Sequence, residues 1–247
     1  TFVFDDGKDT PVCSESERII AVDPGVDNLM AVTNNCGLPC ILFNGKPLKA
    51  INQLYNKQIA NIMSENTIGT TDRFVPTPHY RRVTLKRNNR VKDYLLKSAK
   101  ILIDWCVENR IDTIVLGKNV GWKQESDMGH VTNQSFVQIP HAQLYNIISY
   151  LAEREGINVV EQEESYTSKV SFLSRDAIPS YRCKDEKHSF SGRRVHRGLY
   201  KDRSGKQINA DLNGSANILR KAFPNAFKKD PDFNNIRVIR HPDLVLA

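Results

Sequence analysis

Apolar positions near the start of the chain form short continuous blocks separated by turn residues. The block Arg18–Val22 is β-branched and predicts a strand buried on both faces, which ends at Asp23 before a Pro-Gly turn. Apolar runs over residues 29–32 and Pro39–Phe43 predict a second and a third strand, each followed by a turn that contains asparagine. The pattern therefore indicates three meandering strands.

After these strands, apolar residues recur every three or four positions, which is typical of amphipathic helices. Two buried strands interrupt this pattern, so helices alternate with strands as they do in parallel arrangements with crossover connections. In chain order the predicted elements are a helix over Pro47–Met63, a helix over Leu85–Asn109, a strand over Asp112–Gly117, a helix over Ile139–Gly156, a strand over Ile157–Glu161 and a closing helix over Asn209–Phe223.

Three meandering strands followed by two crossover strands predict an α/β fold with a mixed five-stranded sheet flanked by helices, which is the RNase H-like plan. We expect residues 1–16 to form a lead-in and residues 17–169 to form the core. Residues 170–208 are polar, basic and rich in turn residues, so they predict an inserted hairpin or a partly mobile segment. The closing helix at 209–223 returns to the core, and the tail at 224–247 is expected to be weakly ordered.

Composition narrows the functional class without deciding it. The 247 residues are 40% hydrophobic and 26% charged, which is ordinary for one globular core with or without an insertion. The 35 basic and 28 acidic residues give a net charge of +7, which favours an anionic partner. The five irregularly spaced cysteines indicate a reducing compartment, and no apolar run approaches the ~18 residues of a membrane span. The chain begins at Thr1 without Met or a signal peptide, so we expect a fragment or a processed chain. As a separate expectation, the protein would act in a prokaryotic cytosol or nucleoid, or in a eukaryotic nucleus.

Two basic stretches suit contacts with the phosphates of a nucleic acid. The first lies at the start of the second predicted helix and has almost no acid among its cations, although a solvated helix face is the simpler alternative. The second lies in the predicted insertion, where cations interleave with aromatic side chains, a mixture that suits single-stranded nucleic acid but also a solvated hairpin. The candidate binding residues are Arg81, Arg82, Lys86, Arg87, Arg90, Arg193, Arg194 and Arg197.

Two carboxylates stand at positions that favour metal-dependent chemistry. Asp23 is at the carboxyl end of the first strand, where a rigid scaffold would present it to a crevice as a metal ligand. Asp211 is in the first turn of the closing helix. Each also has a structural explanation, because Asp23 can simply start a turn and Asp211 can interact favourably with the helix dipole.

Five stretches together resemble the RuvC nuclease domain of the TnpB family, which comprises transposon-encoded RNA-guided nucleases related to the type V CRISPR effectors. They are A-V-D-P-G-V-D-N-L, the basic helix Arg87–Cys106, I-V-L-G-K-N-V-G-W-K-Q, E-S-Y-T-S-K and N-A-D-L-N-G-S-A-N-I. The resemblance covers roughly residues 17–223, and its most specific part is the order of the last two motifs after the first aspartate. It implies DNA as the substrate, a guide RNA as a partner, and two Mg²⁺ (or Mn²⁺) ions held by carboxylates.

The resemblance matches Asp23 and Asp211 to the family's first and last catalytic, metal-binding aspartates. The family usually carries a catalytic glutamate at the end of the strand D-T-I-V-L-G, where this chain has Gly117–Lys118. Some relatives instead carry a glutamate just ahead of the Y-T-S motif, and adjacent strands are only ~4.8 Å apart, so Glu164 could reach the same metal. Glu163 would point to the opposite face if the strand continued, and it is the alternative to Glu164.

Two further departures limit what the resemblance implies. Family members commonly carry two C-x-x-C pairs before the last aspartate, but this chain has only Cys183 there, with His188 and His196, so no zinc is expected. The family's N-terminal part, which holds the guide RNA, has no counterpart here, so this chain alone is not expected to be guided. The resemblance implies a Mg²⁺-dependent endodeoxyribonuclease with no membrane partner. The alternatives are a nuclease-inactive RNA-guided DNA-binding protein and, less favoured, a strand-transfer transposase.

Overall fold

The computed structural model describes residues 18–67, 74–118, 139–179, 188–196, 198–227 and 229–246. Within them the chain forms a mixed α/β arrangement, as predicted. The strands are β1 (Ile19–Pro24), β2 (Asn28–Asn34), β3 (Pro39–Asn44), β4 (Thr113–Lys118), β5 (Asn158–Glu163), β6 (Arg193–His196), β7 (Leu199–Lys201), β8 (Gln207–Asn209) and β9 (Asp232–Ile239). The helices are α1 (Lys46–Thr67), α2 (Pro78–Glu108), α3 (His141–Arg154), α4 (Ala210–Ala222) and α5 (Asp243–Leu246).

The main sheet contains six strands in the order β5-β4-β1-β2-β3-β9. Strands β1, β2 and β3 form an antiparallel meander, whereas β4 runs parallel to β1 and β5 runs parallel to β4. Because parallel strands end at the same edge of a sheet, the carboxyl ends of β1, β4 and β5 meet there. Asp23, Gly117 and the residues after β5 are all at this edge.

The prediction of a five-stranded sheet and a weakly ordered tail is wrong, because the tail supplies the sixth strand. Strand β9 pairs in parallel with β3, with Ile236 opposite Cys40 and Ile239 opposite Phe43. Ile239 is buried in the main core, and Ile236 packs beside Cys40 on the other face. Three of the first four residues of β9 are polar, so the sequence gives little indication of a strand that is stabilised by its pairing with β3.

Helices cover both faces of the main sheet. Alternate residues of β1 divide between two cores, since Ile20 and Val22 join the core under α1, α2 and α3, whereas Ile19 and Ala21 pack against α4. Helix α2 begins earlier than predicted, at Pro78, because Thr77 Oγ1 accepts a hydrogen bond from an N–H group of the first turn. None of the described helices combines the length and the apolar character needed to cross a membrane.

The segment predicted as an insertion contains a second, three-stranded antiparallel sheet in the order β6-β7-β8. Tyr200 of β7 is buried against Ile208 and Ala210, and its hydroxyl donates to the Lys169 carbonyl at 2.8 Å. Strand β8 ends at Asn209, immediately before α4. The small sheet therefore packs directly on the start of the closing helix.

Candidate carboxylate site

Strand β1 presents Asp23 on the face of the main sheet that α4 covers. Ala21, two positions earlier on the same face, accepts a 2.8 Å hydrogen bond on its carbonyl from the buried Ser215 of α4. A Cβ on Gly214 would come within 2.5 Å of Asp23 Oδ2. Glycine at position 214 therefore allows the Asp23 carboxylate to lie directly against the backbone of α4.

Three asparagines spaced four residues apart fix the position of α4. Asn209 caps the helix, because its Oδ1 accepts hydrogen bonds from two backbone N–H groups of the first turn, at 2.9 and 3.1 Å. Asn213 and Asn217 are fully buried, and each donates to the Val170 carbonyl at 2.8 Å. Most of the N-A-D-L-N-G-S-A-N motif thus positions α4, and Asp211 with it, against the sheet and the chain after β5.

Glu164 follows the end of β5 and reaches back over β4. A Cβ on Gly117 would lie 2.9 Å from Glu164 Oε2, 2.6 Å from Ile218 Cδ1 and 3.4 Å from the Val22 carbonyl oxygen. The missing side chain at position 117 therefore leaves the space that the Glu164 carboxylate uses. Gly117, at the position where the resemblance implies a glutamate, is thus the residue that makes room for Glu164.

Glu163 points elsewhere. One of its carboxylate oxygens accepts a 2.6 Å hydrogen bond from Lys221 Nζ, and the other accepts from the N–H of Ser165. Although burial acts to raise it, the pKa of Glu163 lies below its usual value because of these hydrogen bonds. Of the two adjacent glutamates, the structure brings Glu164 towards Asp23 and pairs Glu163 with α4.

The turn that contains the Y-T-S motif fixes the backbone beside Glu164. The carbonyl of Glu164 accepts hydrogen bonds from the N–H and the hydroxyl of Thr167, at 3.2 and 2.8 Å. Tyr166 has φ 66°, a left-handed conformation that costs a non-glycine residue roughly 1–2 kcal/mol. Asn217 holds the turn from the other side by donating to the Thr167 carbonyl at 2.9 Å.

Asp211 lies three residues before Gly214 on α4, so both residues are on the helix face that is turned towards Asp23. Its Oδ1 accepts a 3.0 Å hydrogen bond from Arg194 Nη2, and its Oδ2 accepts a 2.8 Å hydrogen bond from Asn28 Nδ2. Arg194 belongs to β6 and Asn28 to the start of β2, so both sheets contribute to the surroundings of this carboxylate.

Glu164 and Asp211 both act electrostatically on Asp23. Burial, followed by the negative charges of Glu164 and Asp211, raises the pKa of Asp23 well above its usual value, and the Arg194 guanidinium opposes this shift. The pKa of the Tyr145 phenol is also raised, first by burial and then by Glu164 and Asp23. Such mutual repulsion would be relieved by a bound cation.

The donor set suits a hard divalent cation, because carboxylate oxygens are the ligands that Mg²⁺ and Mn²⁺ prefer. Within the described ranges, however, no three His, Cys, Asp or Glu side chains are already grouped as a metal cage. Both oxygens of Asp211 are engaged by Arg194 and Asn28. The residues therefore fit a metal by their chemistry, and binding would require at least one of these contacts to be exchanged.

An open cleft of about 830 Å³ lies beside Asp23 and Asp211. Three cations also line it, namely Lys46, Arg194 and Arg240. Glu164 approaches Asp23 from the side of β4. The cleft thus combines carboxylates with nearby positive charges, an arrangement that can accept a phosphate-bearing strand.

The other cations that the sequence analysis singled out do not share one environment. Arg87 packs against α1, where its Nε donates to Asn52 Oδ1 at 2.8 Å and its guanidinium lies 5.6 Å from the centre of the Tyr55 ring. Arg193 is exposed on β6, whereas Arg197 and Cys183 lie outside the described residues. The remaining cations are exposed on α2, and their role in phosphate binding stays a prediction: Arg81, Arg82, Lys86 and Arg90.

Sequence reasoning missed two side chains of α3 that support the site. His141 Nε2 lies 3.0 Å from the Gly25 carbonyl oxygen, which can only accept a hydrogen bond, so this nitrogen carries the proton. Tyr145, one turn later, donates its hydroxyl to the Gly117 carbonyl. Helix α3 therefore holds the ends of both β1 and β4. The spacing of four residues between His141 and Tyr145, which puts them on one helix face, is the sequence pattern that could have indicated this role.

Acidification should weaken the fold through His141. Burial lowers the pKa of His141 to about 4, against about 6.5 in an unfolded chain, and the hydrogen bond to Gly25 only partly opposes this shift. Above about pH 6.5 both states are neutral and nothing is lost, whereas below it the unfolded state takes up the proton first. We expect His141 to contribute a loss of up to about 3 kcal/mol in the free energy of unfolding by about pH 4. Urea denaturation at several pH values should show a smaller loss for His141→Asn, and equal pH dependence in both proteins would contradict this expectation.

Comparison with known proteins identifies two families along the chain. Residues 6–123 match the family OrfB_IS605, described as a probable transposase, and residues 141–218 match the Cas12f1-like TNB domain. The TnpB-like protein ORF457 of Acidianus two-tailed virus is 25% identical over 213 residues, which cover 84% of this chain and 42% of that protein.

Solved structures share the fold. The structure of the Cas12f1–sgRNA–target DNA complex matches with a TM-score of 0.59 and 18% identity, covering 85% of this chain and 51% of that one. The CRISPR-Cas12f ternary complex matches with a TM-score of 0.58 and 17% identity, covering 87% of this chain and 40% of that one. The chain thus spans about half the length of these relatives, or less.

The two family matches follow one another and include every residue of the carboxylate site. Asp23 and Gly117 fall in the first match, and Glu164 and Asp211 fall in the second. The relative from Acidianus two-tailed virus is TnpB-like by name. Through these matches the chain resembles the TnpB family along most of its length.

Proposed function

We propose that this chain is the RuvC-like nuclease domain of a TnpB protein, with an RNase H-like fold, and that it hydrolyses DNA phosphodiester bonds with Mg²⁺. The observation that supports this proposal best is that Asp23 lies against Gly214, three residues after Asp211 on α4, while Glu164 reaches over Gly117 beside the end of β1. The antiparallel meander followed by parallel β4 and β5 supports the RNase H-like plan. On this proposal the arginine-containing sheet β6-β7-β8 takes the place of the family's zinc ribbon.

The three carboxylates would hold the metal ions. Bound Mg²⁺ or Mn²⁺ would supply Lewis acidity, activating a water and stabilising the leaving oxygen of the phosphodiester. Asp23 lies against α4 at Gly214, and Glu164 stands at the start of a turn that Asn217 fixes by a hydrogen bond. Rigid support of this kind keeps ligands in a productive geometry.

Arg194 would make Asp211 available to a metal ion when the DNA strand enters the cleft. Its guanidinium lines the cleft and is paired with Asp211 Oδ1 at 3.0 Å. A guanidinium can make two parallel hydrogen bonds to a phosphate, so an entering DNA strand offers Arg194 an alternative anionic partner. Its transfer to the phosphate would release one oxygen of Asp211.

DNA and guide RNA are the partners that this function requires. The Cas12f1 complex that shares the fold contains an sgRNA and a target DNA. The net charge of +7 and the exposed cations at the start of α2 favour a nucleic-acid partner for this chain. We assign the DNA strand to the cleft and the guide RNA to the whole protein, of which this chain would be the nuclease part.

A nuclease-inactive, RNA-guided DNA-binding protein is the second candidate. Two observations favour it: Gly117 stands where the family usually has a glutamate, and both oxygens of Asp211 are engaged by Arg194 and Asn28. In such a protein the carboxylates would serve the fold alone. Their replacement would then leave the protein's action on DNA unchanged.

The test is cleavage of end-labelled single-stranded DNA by the full-length protein carrying its guide RNA, in Mg²⁺ and in EDTA. We expect hydrolysis in Mg²⁺ only, and a loss of at least about a hundredfold in the Asp23→Ala variant, because a charged group at the reacting centre is removed. DNA binding without cleavage by the unmodified protein would contradict the nuclease proposal and support the second candidate. Joined rather than cut DNA ends would indicate a strand-transfer enzyme instead.

A further inference from the structure

Two cations that the proposed chemistry does not use line the cleft beside Asp23 and Asp211. They are Lys46, at the start of α1, and Arg240, directly after β9. Both are exposed, and neither forms an ion pair with another of the described residues. Asp27, a further acid in the lining, is paired with Lys49. Lys46 and Arg240 are therefore available to an anion that enters the cleft.

The side chain of Asn44 fixes these two cations relative to each other. Its Oδ1 accepts a 3.1 Å hydrogen bond from the backbone N–H of Lys46, and its Nδ2 donates a 3.1 Å hydrogen bond to the Arg240 carbonyl. Tyr94 of α2 donates its hydroxyl to the carbonyl of Asn44. The two cations thus extend from one braced corner of the fold, where β3, α1 and β9 meet.

The geometry of β9 places Arg240 on the face of the sheet that carries the carboxylates. Ile236 packs with Leu212 of α4, and Val238 lines the cleft together with Arg240. These three positions alternate along the chain, so they share a face. Arg237 is also exposed, but the same alternation puts it on the opposite face.

We propose that Lys46 and Arg240 form a subsite for the backbone phosphates of the DNA strand, next to the phosphodiester that is cut. This inference rests on the proposed nuclease function. A strand brought to three carboxylates is repelled by their charges, and cations at the neighbouring phosphates offset that repulsion. Because the subsite contacts phosphates only, it acts on any sequence and makes binding depend on salt.

The test measures binding of a fluorescent single-stranded oligodeoxynucleotide to the full chain, in EDTA, over a range of salt concentrations. The Lys46→Gln/Arg240→Gln double variant should bind more weakly. Its slope of log affinity against log salt should be shallower by about 0.7 for each phosphate that the protein no longer neutralises. The matched control is Lys57→Gln/Arg237→Gln, which removes one exposed cation from α1 and one from β9, the strand that ends just before Arg240. This control should bind as the unmodified chain does.

Equal affinity and slope in the double variant and the unmodified chain would overturn the subsite, as would an equal loss in the control. A larger loss for a matched RNA oligonucleotide than for DNA would overturn the assignment to the DNA strand. Cleavage by the full-length protein separates this inference from the proposed function. If only the subsite fails, Asp23→Ala still abolishes cleavage while the salt slopes coincide. If only the nuclease proposal fails, no protein cleaves DNA while the slopes differ.

Discussion

Replacing Glu164 by glutamine is expected to abolish Mg²⁺-dependent DNA cleavage, with a loss of at least about a hundredfold in rate. Glutamine keeps the size and shape of the side chain over Gly117 but removes the charge that acts on Asp23. The fold should therefore persist while the proposed metal site loses an anionic ligand. Single-turnover cleavage of labelled DNA by the full-length protein with its guide RNA measures the effect.

The adjacent Glu163 provides the matched control. Its carboxylate is paired with Lys221 at 2.6 Å, on the side of α4. Glu163→Gln should therefore lower the free energy of unfolding by about 1 kcal/mol and leave the cleavage rate within a few fold. The reverse pattern, with Glu163→Gln inactive and Glu164→Gln active, would show that the third carboxylate has been assigned wrongly.

The second large effect is expected at Gly117, where alanine should lower cleavage by about a hundredfold, the cost of a misplaced catalytic group. The added Cβ would lie 2.9 Å from Glu164 Oε2 and 2.6 Å from Ile218 Cδ1, so these side-chain ends must move. Overpacking of this kind costs roughly 1–3 kcal/mol of stability, which leaves a foldable protein. The displaced Glu164 carboxylate would no longer reach the proposed metal site.

A double-mutant cycle separates this mechanism from general damage. If alanine at 117 acts only by moving Glu164, then adding Gly117→Ala to Glu164→Gln should cost no further activity. Cleavage assays and urea denaturation on the two single variants and the double variant complete the cycle. Losses of activity that simply add would contradict the steric explanation.

Much of the site was predictable because its parts have local patterns. The apolar block before Asp23 is a strand whose end and turn are visible in the sequence, and Asp211 follows the capping residue Asn209. Asn213 and Asn217 follow Asn209 at intervals of four residues, which is the spacing of one face of a helix. Local chemistry and long-range packing agree at these positions.

The choice between the two glutamates needed the structure. The alternation of side chains along a strand indicates only that Glu163 and Glu164 point to opposite faces. Because β5 ends at Glu163, the alternation does not decide the direction of Glu164. The direction of Glu164 depends on the turn after it, including the left-handed Tyr166, and on the space above Gly117. Neither feature is local to the strand that the sequence predicts.

The elements that sequence reasoning missed depend on distant partners. Strand β9 is stabilised by pairing with β3, nearly two hundred residues earlier in the chain, and three of its first four residues are polar, which is not typical of a strand. His141 and Tyr145 acquire their roles only when α3 packs beside the ends of β1 and β4. Arg194 was predicted as a contact for nucleic acid, but its pairing with Asp211 requires the small sheet to fold against α4.

The most direct measurement is the affinity of the protein for Mn²⁺, determined by calorimetric titration of the unmodified chain and of Asp23→Asn, Glu164→Gln and Glu163→Gln. A shared carboxylate site requires the unmodified chain and Glu163→Gln to bind with similar affinity. It also requires Asp23→Asn and Glu164→Gln to bind at least about tenfold more weakly, since a direct ligand is lost. Equal affinity in all four proteins, or a loss confined to Glu163→Gln, would show that these carboxylates do not form one metal site.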